Sequence, residues 1–256
     1  MSTLDLDNES DRARLGRKAR AYLVHLFTAS GVVFAFLAVA EVVQSDPDPR
    51  WVFAWLTLAV LIDAADGPLA RLWNVKLYAP RILGPTIDQI VDYLTFTFVP
   101  LTLVWRMDWL PDPDGLWVVL AMVVSLFGFA NTSAKQVKKG FFLGFPSYWN
   151  VVAYYVGLLA VRYGTTGAYV SLGAVVVLGV LTLVPVRFIY PNAAPAPWRT
   201  IVTVGGVAWL GLLLALLPTF PDLPAWGGDW VLWGSFIYPA FYFGLSGWLD
   251  WTSRQS

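Results

Sequence analysis

Long apolar runs alternate with short polar segments along the whole chain of 256 residues. A helix needs about 20 residues, each rising about 1.5 Å, to cross the hydrocarbon core of a bilayer. Segments rich in proline and glycine separate several of these runs, as turns between helices do. The pattern therefore predicts an all-α, polytopic transmembrane bundle of about eight spans. The spans cover residues 21–43, 51–71, 84–105, 115–131, 147–163, 166–187, 200–217 and 230–250.

The first 20 residues are mostly polar or charged and precede the first apolar run. They predict a polar, amphipathic segment over residues 1–20, followed by a single transmembrane domain over residues 21–256 without internal repeats. Basic residues, an apolar run and then Ala38-Val39-Ala40 also resemble a secretory signal with its cleavage site. The apolar run is about twice as long as a signal core, which favours a first span that is retained.

The composition supports a membrane protein and excludes several kinds of site. Hydrophobic residues make up 57% of the chain and charged residues 13%, whereas soluble domains carry about 25% charged residues. A water-soluble fold of this size could not bury so much apolar surface, so part of it must face lipid. The chain has no cysteine, which excludes disulfides and thiolate metal sites.

The positive charges are distributed unevenly between alternate loops. If the N-terminus is cytoplasmic, all of the 17 Lys and Arg residues except Arg50, Arg106 and Arg162 fall in inner segments. The outer loops carry acidic residues instead. Because Lys and Arg are retained on the cytoplasmic side, this distribution predicts cytoplasmic N- and C-termini. The formal net charge is zero, and we predict no nucleic-acid partner.

Four aspartates lie within or beside the second and third predicted spans. Asp63 and Asp66 are three residues apart, and Asp88 and Asp92 are four apart, so each pair lies on one helix face. A charged side chain at the centre of a membrane helix costs at least about 2.5–3.5 kcal/mol. Two facing helices would direct all four carboxylates into one space. Helix caps, loop positions or a proton path are the less specific interpretations of the same residues.

Like charges in one space require a cation, and neither apolar run contains Lys or Arg in its interior, since Arg71 and Arg81 only flank the runs. A hard divalent ion with oxygen ligands suits four carboxylates, and the lack of Cys and the single His favour Mg²⁺ or Mn²⁺ over zinc. Metal ions held by carboxylates commonly serve phosphoryl transfer, where they bridge phosphate oxygens and neutralise developing charge. The aspartates therefore predict a metal-dependent phosphoryl-transfer site.

The same residues resemble the signature of a known enzyme family. Asp63-Ala-Ala-Asp66-Gly-Pro-Leu-Ala-Arg71 followed by Gly84-Pro-Thr-Ile-Asp88-Gln-Ile-Val-Asp92 is similar to the motif of the CDP-alcohol phosphotransferases. Members of that family displace CMP from a CDP-linked donor with the hydroxyl of an alcohol, using a divalent metal. The resemblance implies that residues 21–256 form a catalytic domain.

The spacing within the motif resembles one branch of that family. Twelve residues separate Arg71 from Gly84, more than in most members, as in the bacterial phosphatidylcholine synthases. Residues 24–31 and 141–150 and the eight spans are also similar to that branch. The resemblance implies CDP-diacylglycerol and choline as substrates, phosphatidylcholine and CMP as products, and a homodimer in the bacterial inner membrane. The active site would face the cytoplasm.

The resemblance also implies roles for individual residues. Asp63, Asp66 and Asp88 would hold the metal, and Asp92 would complete its shell or take the proton of the choline hydroxyl. The donor nucleotide would lie against Thr28, Gly67, Ala70, Arg71 and Gly84. Aromatic faces attract quaternary ammonium ions, and the residues implied for choline are His25, Tyr148, Trp149, Tyr154, Tyr155 and Tyr190, with Phe188 beside them.

Two other functions compete with phosphatidyl transfer to choline. The same chemistry could use serine, inositol phosphate or glycerol phosphate, and Arg187 with Arg199 would be the candidates for binding a phosphorylated acceptor. A transporter would also place carboxylates in the membrane, but it predicts similar motifs in two repeats. Here the acidic residues are confined to one pair of spans.

Overall fold

The computed structural model describes residues 11–131, 135–136, 140–190 and 194–255. Lys138 and Lys139, which we predicted in an inner loop, lie outside the described residues. Eleven α-helices and three short strands make up the described part. They are α1 (Asp11–Ala29), α2 (Gly31–Val42), α3 (Pro49–Leu72), α4 (Val75–Tyr78), α5 (Gly84–Asp92), α6 (Val99–Arg106), α7 (Asp114–Ala130), β1 (Lys135–Gln136), β2 (Phe141–Leu143), α8 (Trp149–Leu183), β3 (Arg187–Ile189), α9 (Trp198–Leu216), α10 (Gly228–Ser235) and α11 (Ile237–Gln255).

The helices form a membrane bundle, as the apolar runs predicted. Within the described residues, five helical stretches are long and apolar enough to cross a membrane, and Asp114–Ala130 is a shorter apolar helix. Large hydrophobic side chains such as Leu61, Phe127 and Ile237 are exposed on the outside of the bundle. An exposed apolar surface of this extent marks contact with lipid or protein, and together with the helix lengths it confirms the multi-pass membrane fold.

The long helix α8 consists of two spans joined by a turn at Gly164. Gly164 has φ 54° and ψ −133°, a conformation that is not helical and that glycine adopts without a Cβ penalty. A Cβ on Gly167 would lie 1.9 Å from the carbonyl oxygen of Leu159, although eight residues in a straight helix span about 12 Å. The chain therefore folds back on itself, and residues 149–163 and 165–183 correspond to the fifth and sixth predicted spans.

The N-terminal helix α1 passes through position 20 without a break, so the predicted boundary of the polar segment falls inside it. Residues 11–20 are all exposed. Arg17 donates a hydrogen bond of 2.9 Å to the Tyr78 hydroxyl, and its guanidinium lies 5.8 Å from the ring centre. Ala21 and Val24 bury themselves against Tyr78 and Ala79. These contacts attach the start of α1 to the short helix α4.

The third predicted span is one continuous helix with a change of winding in its middle. Helix α5 leads into a π-helical segment, Tyr93–Phe98, which leads into α6. Pro100 has no backbone N–H to donate to the turn before it, which weakens regular α-helical bonding at this point. Wider π turns of this kind are rare and often lie at functional sites.

A three-stranded antiparallel sheet in the order β1–β2–β3 joins the segments before and after α8. Phe141 pairs with Ile189, and Leu143 pairs with Arg187. The periodicity of the apolar runs predicted an all-α fold and gave no sign of these strands, because each has only two or three residues. Helix α11 packs along β3 and covers its outer edge.

Candidate active site

Three of the four aspartates meet between α3 and α5. Asp63, Asp88 and Asp92 each offer a carboxylate oxygen within 4.8 Å of the others, and all three side chains are half-buried. Asp88 and Asp92 are one helical turn apart on α5, so their carboxylates lie on the same face toward Asp63. The structure thus brings together residues from the two neighbouring spans, as their spacing predicted.

Asp66 lies in the same cleft, outside that group of three. It is 8% exposed and is the most buried acidic residue on α3. The cleft is small, with a cavity volume of about 10 Å³, and is partly open to solvent. Its lining consists of Thr28, Ala59, Ile62, Asp63, Asp66, Asp88, Val91, Asp92 and Thr95.

Two close helix contacts hold α5 in place on either side of Asp88. A Cβ on Gly84 would lie 3.0 Å from the Cε1 atom of His25 on α1, and a Cβ on Gly31 of α2 would lie 2.5 Å from Cγ1 of Val91. Glycine at these positions lets the helices approach more closely than any other residue would. The position of the Asp88 carboxylate therefore depends on both glycines.

Further contacts attach the aspartate-bearing helix to α7 on its other side. The Gln89 side-chain amide donates to the Phe129 carbonyl oxygen. The Tyr93 ring packs edge-on against the Phe129 ring at 5.8 Å, and its hydroxyl donates to the Met122 carbonyl oxygen at 3.3 Å. Together with the glycine contacts, they fix α5 from two directions and leave its aspartates facing α3.

Of the residues predicted to bind the donor nucleotide, Thr28 lines the cleft, and the others lie on α3 and α5, the helices that carry the aspartates. Thr28 is buried in its lining, where its hydroxyl donates to the Val24 carbonyl oxygen at 3.2 Å. Arg71 is exposed in the last turn of α3, and a Cβ on Gly67 would lie 3.4 Å from its Nη1 atom. Ala70 packs beside the contact between α1 and α4. The absence of a side chain at Gly67 leaves room next to the Arg71 guanidinium.

His25 is buried beside the start of α5, with 6% of its surface exposed. Its Nε2 atom has no hydrogen-bond partner within the part of the chain that the structure describes. A buried polar atom normally finds a partner. The ring nitrogen is thus available to a bound molecule.

Among the aromatic residues predicted to contact choline, Tyr148 is the one placed near the carboxylates. It directly precedes α8. Its ring centre is 6.1 Å from that of Phe96, which follows Asp92 by one turn. Tyr190 follows β3, and its N–H bonds to Gly140, just before the strand that leads to Tyr148. We call Tyr148 and Tyr190 the aromatic wall.

The other aromatic candidates lie elsewhere in the bundle. Trp149 is fully buried, and the Tyr155 hydroxyl is hydrogen-bonded to Ser235 of α10 at 2.9 Å. Tyr154 packs on Phe53 at 5.0 Å between ring centres. Phe53 precedes Asp63 by ten residues on α3, which is about 15 Å along the helix axis. The structure thus places Tyr154 away from the carboxylates and buries Trp149 and Tyr155 among other side chains. Of the three, only Trp149 belongs to the family-like stretch 141–150.

Several residues that line or adjoin the cleft were not predicted from the sequence. Ala59, Ile62, Val91 and Thr95 contribute to its lining, and Phe96 packs against Tyr148. A signal existed for most of them, because they stand three, four or one position from an aspartate on the same helices. The π-helical winding after Asp92 could not be read from that spacing.

The donor set fits a hard divalent cation. Three carboxylates with oxygens within 4.8 Å of one another match the oxygen ligands and negative charge that Mg²⁺ and Mn²⁺ prefer. The cleft lies next to an exposed arginine and an open mouth, so a phosphate-bearing molecule can reach it. The arrangement suits phosphoryl transfer between a bound diphosphate and a small nucleophile.

Comparison with known proteins places the chain among enzymes of lipid synthesis. No protein-family model matches it. It is 37% identical over 234 residues to the phosphatidylcholine synthase of Pseudomonas aeruginosa, covering 90% of this chain and 92% of that one. The synthase of Bradyrhizobium diazoefficiens is 35% identical over 82% of this chain and 76% of its own. That of Mesorhizobium japonicum is 37% identical over 68% of this chain and 62% of its own.

Proposed function

The chain belongs to the phosphatidylcholine synthases, which are CDP-alcohol phosphotransferases, and we propose that it transfers the phosphatidyl group of CDP-diacylglycerol to choline. The observation that carries this proposal is the meeting of Asp63, Asp88 and Asp92 in one cleft, in a chain similar to these synthases over most of its length. Phosphatidylcholine and CMP are the products.

We propose that Asp63, Asp88 and Asp92 hold a divalent metal ion, Mg²⁺ or Mn²⁺, with Asp66 as a further ligand. A bound metal ion neutralises charge on the diphosphate oxygens and on the departing CMP. The helix contacts described above fix the backbone positions of these carboxylates. Removing any one leaves an incomplete set of ligands.

The reaction forms one P–O bond and breaks another. The choline oxygen bonds to the phosphorus that carries diacylglycerol, and the bond from that phosphorus to the CMP oxygen breaks. The proton of the choline hydroxyl goes to the Asp92 carboxylate, which lies on the cleft wall next to the aromatic side. A positioned base of this kind contributes about 10²–10⁴-fold to a rate.

Binding of the two substrates divides between the two sides of the cleft. Thr28, Gly67, Ala70, Arg71 and Gly84 line the donor side, where the exposed Arg71 guanidinium pairs with phosphate. The free Nε2 of His25 binds a substrate polar atom on that side or next to choline. Tyr148 and Tyr190 receive the ammonium group, at about 0.5–2 kcal/mol for each aromatic face.

The surroundings of the candidate phosphate-binding arginines favour choline over a phosphorylated acceptor. Arg187 lies 3.8 Å from the buried carboxylate of Asp250, and Arg199 donates to the Ala194 carbonyl oxygen at 3.3 Å. Both guanidinium groups thus have partners within the protein. A cationic acceptor suits the acidic and aromatic walls of the cleft better than an anionic one.

The membrane arrangement is also a proposal. The basic residues near the cleft, including Arg71, Lys76 and Arg81, support a mouth that opens to the cytoplasm. There it meets choline from the cytosol and CDP-diacylglycerol from the inner leaflet. We place the enzyme in the bacterial inner membrane as a homodimer. Cross-linking in membrane vesicles of known orientation tests this arrangement.

A CMP-release assay tests the proposed reaction. Purified protein is mixed with CDP-diacylglycerol, Mg²⁺ or Mn²⁺, and either choline, serine, inositol phosphate or glycerol phosphate. We expect CMP release with choline, loss of release in EDTA, and recovery when metal is restored. Release with another acceptor and not with choline would overturn the proposal, as would full activity in EDTA.

A matched pair of variants distinguishes the loss of a carboxylate in the cleft from the loss of one negative charge elsewhere. Asp92→Asn removes the proposed base and lowers CMP release at least about a hundredfold. Asp46→Asn makes the same change at an exposed position in the loop before α3 and leaves activity unchanged. Equal activity of the two variants would rule out Asp92 as the base.

A further inference from the structure

Three side chains at one-turn spacing on α11 hold the outer edge of β3. The Tyr242 hydroxyl donates to the Ile189 carbonyl oxygen at 2.8 Å, and the Ser246 hydroxyl accepts from the Ile189 N–H at 3.2 Å. Asp250 lies one turn further along α11, 3.8 Å from Arg187. We call Tyr242, Ser246 and Asp250 the α11 clamp.

The clamp takes the place of a fourth strand. Backbone N–H and C=O groups of alternate residues in a strand point to opposite edges. Tyr190 N–H bonds to the Gly140 carbonyl at 2.9 Å, toward β2, so the groups of Ile189 face the other way. Buried backbone groups require partners, and α11 supplies both of them from side chains that are at most 8% exposed.

The strand held in this way leads directly to the aromatic wall of the cleft. Phe188 packs against the Tyr242 ring at 6.4 Å and against Phe145 at 6.3 Å, and Phe145 in turn contacts Tyr148 at 6.4 Å. Tyr190 follows β3 immediately, and its N–H bonds to the Gly140 carbonyl oxygen next to β2. The position of both tyrosines therefore depends on where β3 lies.

We propose that Tyr242, Ser246 and Asp250 are positioning residues for the acceptor, because they fix β3 and thereby set the distance between Tyr190 and Tyr148. This inference rests on the proposed function for its substrate. The donor side is built from α1, α3 and α5, whereas the contacts of the clamp described above go to β3. Loosening the clamp thus affects choline binding and leaves donor binding unchanged.

Tyr242→Phe and Tyr238→Phe form a matched test on one helix. Each removes one phenol hydroxyl and keeps its ring, but the Tyr238 hydroxyl donates to Val202 of α9 at 2.8 Å and not to β3. Loss of one such bond raises the KM for choline about fivefold in Tyr242→Phe. Adding Ser246→Ala raises it further, to about twentyfold. We expect kcat at saturating choline and the KM for CDP-diacylglycerol to stay within about twofold.

Amide hydrogen exchange supplies a readout that needs no substrate. The peptide containing Ile189 should exchange faster in Tyr242→Phe with Ser246→Ala than in the wild type, and at the wild-type rate in Tyr238→Phe. Faster exchange with an unchanged KM for choline would overturn the positioning role, as would equal increases in both KM values. Unchanged exchange would show that the clamp does not hold β3. Failure of the wild type to release CMP with choline would refute the proposed function alone.

Discussion

Replacing Asp88 with asparagine should stabilise the metal-free protein while abolishing most of its activity. Asp63, Asp88 and Asp92 have oxygens within 4.8 Å of one another. Two unit charges at that distance repel by about 0.9 kcal/mol in water and about 3.5 kcal/mol at the effective dielectric constant of a protein surface. Asp88→Asn removes two of the three repulsive pairs. All three side chains are half-buried, so the value in water is a lower bound, and for two pairs it gives about 2 kcal/mol.

A bound metal reverses the order of stability. A ligand present at one hundred times its Kd stabilises the folded state by about 2.7 kcal/mol, and the wild type gains this in full, whereas Asp88→Asn gains less. Thermal unfolding in detergent, in EDTA and then with Mg²⁺ or Mn²⁺, measures both effects. We expect Asp88→Asn to unfold a few degrees above the wild type in EDTA and below it with metal. CMP release should fall at least about a hundredfold.

The comparison contains its own control. Asp46→Asn alters an exposed aspartate outside the cleft, so it should unfold at the wild-type temperature under both conditions. If Asp88→Asn were less stable than the wild type in EDTA, the three carboxylates would not be repelling one another. If added metal raised the unfolding temperature of both proteins equally, Asp88 would not be a ligand. Either result would refute the reasoning that links the aspartate cluster to a cation.

Three further substitutions test contacts that position or support the cleft. Gly31→Ala places a Cβ 2.5 Å from Val91 Cγ1 and should lower CMP release at least tenfold while the protein still purifies as a single species, a result that unchanged activity would contradict. Tyr155→Phe removes the acceptor of the Trp209 indole N–H, which donates at 3.0 Å. The substitution should lower the free energy of unfolding by about 0.6–1.7 kcal/mol without altering kcat. A loss of kcat at unchanged stability would assign Tyr155 to the reaction. Asp48→Ala removes the N-cap of α3 and should cost about 1 kcal/mol at pH 7. The hydrogen bond from Arg50 lowers the Asp48 pKa below its ordinary 3.8, so this stabilisation is complete above that pH and is lost as the pH falls through the lower, folded-state pKa; a difference between wild type and variant that persists in strong acid would contradict it.

The helices and the aspartate cluster were predictable because each follows from a local pattern. Apolar length gave the spans, and spacings of three and four residues placed Asp63 with Asp66 and Asp88 with Asp92 on common faces. The meeting of the two faces required one further step, that consecutive spans pack as neighbours. The fifth and sixth spans were separable because glycine and threonine interrupt the apolar run near Gly164.

The aromatic side of the cleft was less predictable, because depth in the membrane does not determine direction around a helix. Tyr148 and Tyr154 are six residues apart, yet Tyr148 packs on Phe96, one turn after Asp92, and Tyr154 packs on Phe53. The short strands escaped prediction for a different reason. The pairing of β2 with β3 depends on contacts between segments more than 40 residues apart, such as Phe141 with Ile189, and two or three residues carry no periodicity.

The π-helical winding between Asp92 and Pro100 sets the direction in which side chains before it point relative to those after it. Each residue of an α-helix turns the chain by about 100°, so a segment that holds one residue more than a regular turn rotates everything beyond it by that amount. The half of the span with Asp88 and Asp92 and the half with Val99 and Leu103 in the core are therefore matched only at the present length. Deleting a single residue from 93–98 would preserve a helix and its hydrophobicity. It would nevertheless oblige either the acids or the apolar anchors to face lipid.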